Sequence, residues 1–332
     1  MEDREREIML DLVRVTETAA LMAGRLMGLG DKEAVDGAAV DGMRGMLDLL
    51  RITGTVVIGE GEKDRAPMLY LGERLGHGDG ATEVDIAVDP VEGTRLVARG
   101  LPNALSIIVV AARGALMSVP SYYMHKIAVG PRARGHIDLD APVRENIRVV
   151  AAALGRKARD LTVVILDRPR HARLIEEVRQ TGARIKLISD GDVAASIAAC
   201  LDDTGVDMLM GIGGAPEAVL TAAAIKCLGG ELQTRMWWQD EAEERRAAAA
   251  GFPDPARIFT ADDLVRGESV IFAATGVTDG DLLRGVRYYG DRAFTNSLVM
   301  RGKTGTVRKI ETWHNLTRKT LRSKQREQEV EV

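Results

Sequence analysis

Only two cysteines occur in the 332 residues, Cys200 and Cys227, each inside an Ala/Leu-rich helical pattern. That scarcity excludes a disulfide framework and a cysteine-built metal site, and it assigns both thiols to the core. No apolar stretch is long enough to span a bilayer, and the charged N-terminus, Met1-Glu-Asp-Arg-Glu-Arg-Glu7, has no apolar signal region. The cytoplasm is therefore the expected location, without a membrane partner. A basic excess is missing as well: the net charge is -4, which gives no reason to expect nucleic acid. No internal repeat is visible. What remains, 45% hydrophobic and 28% charged, describes a soluble globular chain with room for two domains or one large α/β unit, acting on small molecules.

The chain is organised around Asp85-Ile-Ala-Val-Asp-Pro-Val-Glu-Gly-Thr94. A strand runs into Asp89, Pro90 stops it because it cannot donate to a ladder, and Glu92 and Gly93 form the turn that follows. Two carboxylates facing one point repel, and keeping both ionised needs a cation; hard oxygen ligands favour Mg2+ or Mn2+. The competing reading is an ordinary acidic turn.

Upstream, residues 8–27 and the stretch carrying Val40, Met43, Leu47 and Leu50 repeat at helical spacing, so Asp36 stands at a helix start, as an N-cap or as a ligand. Residues 52–58 form a β-branched strand that ends in a second acid–glycine turn. Its Glu60 joins Asp89 and Glu92 if the two strands are neighbours, or else is an exposed turn acid, while Glu62 and Asp64 are expected in solvent or behind the ligands. Residues 104–112 read as a strand buried on both faces, with 116–119 as its hairpin partner. Tyr122 and Tyr123 lie in a following loop, either against a ligand or in packing, and residues 131–142 mark an edge between halves.

The second half alternates strands at 161–166, 184–188 and 206–210 with helices at 172–181, 193–201 and 217–228, a βαβαβα pattern that implies a parallel sheet. Ligands in such sheets bind beyond the carboxyl ends of the strands. Three loops lie there. Arg168, Arg170 and His171 offer cationic donors at a helix start, suited to phosphate. Asp190 and Asp192 flank Gly191 and can accept from sugar hydroxyls or cap the next helix. Glu217 opens a helix after a Gly-rich loop that lacks the Lys-Ser/Thr of a P-loop. Further on, a charged helix (239–250), two strands (269–275 and 306–312) and a charged tail expected to be partly disordered complete the chain.

Val57-Ile-Gly-Glu-Gly-Glu62, the Asp85–Thr94 stretch, Arg168-Pro-Arg-His171, Asp190-Gly-Asp-Val-Ala-Ala-Ser196, Gly211-Ile-Gly-Gly-Ala-Pro-Glu217 and Ala34-Val-Asp-Gly-Ala-Ala-Val40 together resemble the class II fructose-1,6-bisphosphatases, the bacterial branch of the lithium-sensitive, metal-dependent sugar-phosphate and inositol phosphatases. The wider superfamily usually has Asp where Glu92 stands, and Glu there is the mark of the class II branch. The resemblance implies an α/β fold, a layered α/β/α/β/α sandwich with a mixed sheet in the first half and a mostly parallel sheet in the second. It divides the chain into a metal-binding half (1–160), a substrate-binding half (161–318) and a tail (319–332), with the site between the halves. It implies metal ligands at Asp36, Glu60, Asp89, Glu92 and Glu217, for Mg2+ or Mn2+. Implied substrate contacts are Glu92, Gly93, Thr94, Tyr123, Arg168, Pro169, Arg170, Asp190, Gly191, Asp192 and Gly214, with Thr94, Glu60 and Asp89 in the chemistry. The implied reaction is gluconeogenic hydrolysis of the C1 phosphate of fructose 1,6-bisphosphate. Alternatives are a dual fructose-1,6-/sedoheptulose-1,7-bisphosphatase, a related inositol phosphatase, or a sensor without catalysis. The expected partners are a small sugar bisphosphate and further copies of the chain, as homodimer or homotetramer.

Overall fold

The computed structural model describes residues 2–61, 68–77, 82–119, 122–249, 251–252 and 254–319. Glu62 and Asp64, and the tail beyond Lys319, lie outside them. The chain opens with α1 (Glu2–Gly24), α2 (Lys32–Leu47), β1 (Thr53–Ile58), β2 (Arg74–Leu75), β3 (Glu83–Glu92), α3 (Thr94–Arg99) and β4 (Leu105–Ala112). Then come β5 (Tyr123–Val129), α4 (Val143–Ala153), β6 (Thr162–Leu166), α5 (Ala172–Gln180), β7 (Arg184–Ile188), α6 (Asp192–Ala198), β8 (Met208–Gly214), α7 (Ala215–Leu228), β9 (Glu231–Trp237), α8 (Glu241–Ala249), β10 (Ile258–Thr260) and α9 (Ala261–Leu264). The last four strands are β11 (Val270–Gly276), β12 (Arg287–Tyr289), β13 (Arg292–Arg301) and β14 (Thr306–Asn315).

These elements form two compact units, one of residues up to 116 together with those from 268 onward, the other of residues 117–267. The boundary expected at 160 thus falls inside the second unit, and the chain returns to the first. The reason is β5, whose first residue was expected in a loop and whose remainder had no assignment from the sequence. It pairs along its whole length with β8 on one side and β9 on the other, which commits the residues after 116 to the later strands.

The first unit is built on a mixed sheet in the order β12-β13-β11-β4-β3-β1-β2, with β14 beside β13. β4 is buried on both faces, as its continuous apolar run requires. Residues 116–119 do not form the expected hairpin; Leu116 instead donates its N–H to the carboxylate of Asp85 (3.2 Å), which also receives Arg113 (2.6 Å). α1 packs on β11, β13 and β4 through Leu12, Val15 and Ala19, its apolar stripe at helical spacing. The buried Thr16 continues that contact with polar atoms, its hydroxyl bonded to Thr275 (2.7 Å), which bonds in turn to Ser297 (2.8 Å).

Pro90 does not end β3. The strand continues to Glu92, but Asp89 pairs with Ile107 and Glu92 with Leu105, so three steps on β3 face two on β4. That is a bulge holding one extra residue at the proline, where a ladder N–H is missing anyway. Since Ile107 and Leu105 share a face, the extra residue brings Asp89 and Glu92 to the same face.

The second unit's sheet runs β10-β9-β5-β8-β6-β7. Only the β8-β6-β7 portion is parallel, the expected βαβαβα unit; β5, β9 and β10 add three antiparallel pairings. The sheet is therefore mixed rather than mostly parallel. Cys200 and Cys227 are buried and free, in the core as expected.

Phe272, fully buried in β11, stands among strands that pair on both sides. Phe272→Ala is expected to lower the unfolding free energy of the first unit by about 3–5 kcal/mol, read as an earlier transition in urea.

Candidate active site

In the first unit the carboxylates are placed by three neighbouring elements. β1 and β3 are parallel partners, with Ile58 opposite Ala87, so Glu60 and Asp89 each lie two residues beyond one pair at the same end of adjacent strands. The condition for Glu60 to join Asp89 and Glu92 is met in the pairing. Asp89 is half-buried and Glu92 is buried at the end of β3. Gly93 follows in the left-handed region (φ 86°) and caps α3, and a Cβ there would press on Leu96. Thr94 is the first residue of that helix.

Asp36 is not an N-cap. That position belongs to Asp31, whose side chain accepts from the N–H of Ala34 (2.9 Å), which starts α2 several residues earlier and puts Asp36 in its second turn. Burial raises the Asp36 pKa, with Glu33 adding to it. Glu60 is pushed up to about 7, first by burial and then by Asp36. Asp36 thus acts on Glu60, while Lys32 partly offsets the rise at Asp36. Asp85 differs, being occupied by Arg113 and the Leu116 N–H.

In the second unit the functional loops sit at the carboxyl ends of β6, β7 and β8, as the parallel pattern requires. Arg168 is paired with Asp190 (2.9 Å). Pro169 opens a single 3-10 turn, and Arg170 after it donates to the carbonyl of Ile212 (2.8 Å) with its guanidinium 4.8 Å from the centroid of the Tyr123 ring. Tyr123 also meets Trp237 edge-on at 6.1 Å. His171 is not the cationic donor its sequence position suggested. It is buried, its Nε2 accepts the N–H of Ile212 (2.7 Å) and its Nδ1 donates to Leu166 O (2.7 Å), an arrangement open only to a neutral ring. Burial depresses its pKa accordingly.

Gly191, left-handed at φ 91°, precedes α6, and Asp192 is the first residue of that helix. Asp192 is buried and salt-bridged at 2.6 Å to Lys126 of β5, a side chain with no exposed surface. Glu217, in the first turn of α7, is half-buried with an enclosed carboxylate; burial of that group and then Asp192 raise its pKa, and among the described residues its Oε2 has no hydrogen-bond partner. Gly214 gives it room, since a Cβ there would collide with the Glu217 carboxylate. Lys126 is the residue that sequence reasoning missed. The one available signal was a lysine among the apolar residues of Met124-His-Lys-Ile-Ala-Val129.

The donors are hard carboxylate oxygens, the chemistry of Mg2+ or Mn2+ rather than of softer metals. An acid at about 7 beside another acid, and a buried Oε2 without a partner, are both what carboxylates short of a cation display. Among the described residues, no three His, Cys, Asp or Glu side chains are gathered closely enough to hold an ion by themselves. The chain thus offers donors that fit such a metal without a finished cage.

The raised Glu60 pKa carries a sign. Its folded-state value of about 7 lies above the usual 4.5, so its stabilising contribution is complete below about pH 4.5 and is lost as pH rises through 7. In metal-free buffer the melting temperature is expected to fall across that window, and Glu60→Gln to flatten the fall; identical profiles would contradict it.

The chain matches the family described as "Bacterial fructose-1,6-bisphosphatase, glpX-encoded" over residues 6–314. It is similar to fructose-1,6-bisphosphatase 1 class 2 of Escherichia coli strain K12, with 48% identity over 327 residues that cover 95% of this chain and 97% of that protein. The class 2 fructose-1,6-bisphosphatases of Escherichia coli O6:H1 and Shigella flexneri match to the same extent. A likeness that spans both units and every loop described above makes this chain a member of the bacterial, class 2 fructose-1,6-bisphosphatase family.

Proposed function

We propose that the chain hydrolyses the C1 phosphate of fructose 1,6-bisphosphate, releasing phosphate and fructose 6-phosphate in gluconeogenesis, and that its two units divide the work. The observation that carries this reading is the pair of carboxylates aligned by the Pro90 bulge, Asp89 and Glu92, beside a Glu60 poised at about 7, all within a chain of that family. Asp36, Glu60, Asp89, Glu92 and Glu217 would hold Mg2+ or Mn2+. The bound metal supplies Lewis-acid polarisation of the phosphoryl group and a more acidic water. Thr94, next to Glu92 on the turn, orients the attacking water with its hydroxyl. Glu60 takes the proton where its carboxylate is not wholly occupied by metal.

The second unit holds what does not react. Arg168 and Arg170 bind the phosphate that stays on the sugar, and Tyr123 backs Arg170 through its ring. Asp190, Gly191 and Asp192 line up the sugar hydroxyls, with Pro169 and Gly214 shaping the loops around them. Gripping the distant phosphate fixes the reacting one, which raises its effective concentration at the water. Action in the cytoplasm, as a homodimer or homotetramer, belongs to the same reading; among the described residues no helix is long and apolar enough to cross a membrane.

Phosphate release from fructose 1,6-bisphosphate with and without Mg2+ or Mn2+ is the direct test, with sedoheptulose 1,7-bisphosphate and an inositol monophosphate as comparison substrates. No release under any metal would end the reading in favour of a binding protein. Asp89→Asn is expected to lower kcat by about a thousandfold while leaving the melting temperature close to that of the parent. Arg170→Ala is expected chiefly to raise KM.

A further inference from the structure

The side chain of Lys126 has no exposed surface, and its one hydrogen bond among the described residues is to Asp192 Oδ2, at 2.6 Å. An ammonium group carries three donors, and moving it from water into a protein interior is costly unless the geometry repays it. One bond to one carboxylate repays little. Apolar replacement of such buried pairs is commonly neutral or stabilising, so stability does not account for a lysine here. Nor can Lys126 reach a phosphate in solvent from a position with no exposed surface.

What the pair does supply is position. Lys126 lies on β5 opposite Gly211 of β8, and the neighbouring Met124 lies opposite Gly213. A Cβ on Gly213 would collide with Asp192 Oδ2 and come within 3.0 Å of Lys126 Nζ. One residue on, a Cβ at Gly214 would collide with the carboxylate of Glu217. The Asp192 carboxylate thus stands where a side chain on Gly213 would be, and the Glu217 carboxylate where one on Gly214 would be. Asp192 raises the proton affinity of Glu217, and Lys126 offsets it.

We propose that Lys126 is a positioning residue for sugar recognition: its internal ammonium pins Asp192, and with it the first turn of α6, against Gly213. This rests on the reading that Asp192 contacts the substrate. Lys126 itself touches nothing that reacts.

The test is a double-mutant cycle with fructose 1,6-bisphosphate and Mg2+, comparing the parent, Lys126→Met, Asp192→Asn and the double variant, each checked for folding by thermal unfolding. Lys126→Met is expected to raise KM by about tenfold with a much smaller loss in kcat, a split that loss of folded protein alone does not produce. Because Lys126 acts through Asp192, the double variant is expected to match Asp192→Asn within about twofold in KM rather than to multiply the two losses. A folded Lys126→Met with the parent's KM overturns the proposal, and so do multiplicative losses. If Lys126→Met fails to fold, Asp192→Asn and the double variant, which removes both buried charges, decide by themselves; a double variant that also fails to fold makes the pair a stability element and overturns the proposal. Absence of activity in the parent chain would instead remove the assigned reaction and leave Lys126 aside.

Discussion

Gathering carboxylates inside a protein runs against electrostatics, since each is penalised for leaving water and again for meeting another. The two units meet that constraint in different ways. In the second unit the compensating charge is covalently part of the chain, the ammonium of Lys126 against Asp192. In the first, burial and then Asp36 raise Glu60 to about 7, and the cation acting on Asp36 is the exposed Lys32 rather than an internal one. A permanent internal cation suits side chains that must keep one position through the reaction. A set left without one stays responsive to an ion that arrives from outside, which is how metal affinity and proton affinity become linked.

Backbone geometry determines where those charges lie. The bulge at Pro90 changes the pairing by one residue and so converts an i, i+3 relation into one face, while Gly93 turns the chain into α3 at an angle few other residues adopt. Glycine at 213 and 214 does the corresponding work in the second unit by leaving vacant the volume that two carboxylates occupy. In both places the site depends on what a residue lacks: a proline without an N–H, and glycines without side chains.

Much of this was legible in the sequence, and the failures have physical causes. β1, β4 and the β6-α5-β7-α6-β8-α7 run announced themselves by long apolar or periodic stretches, and the acids at strand ends stood out because glycine or proline followed them. Asp36 was misplaced by a few residues because Asp31 also caps well and a polar first turn hides the helix start. β13 was left unassigned, its apolar pattern interrupted by Thr295, Asn296 and Ser297. They are buried in a strand where Glu17, His314 and Thr275 satisfy Thr295 and Ser297 and the Arg284 N–H reaches Asn296, partners that local sequence does not reveal. The same holds for β5 and Lys126. Whether a lysine in a strand points inward is decided by β8 and β9, far along the chain.

The return of the chain to the first unit bears on how the protein is made. β4 pairs with β11 across about 160 positions, Ala111 opposite Val270, and residues 117–267 between them belong to the other unit. During synthesis the second unit, though begun later, has all its strands in hand by residue 267, whereas the first sheet must wait for β14. Until β11 arrives, β4 stands with an apolar edge open, the state in which a nascent chain is most exposed to misassembly. Asp89 and Glu92 lie on β3, one strand in from that open edge.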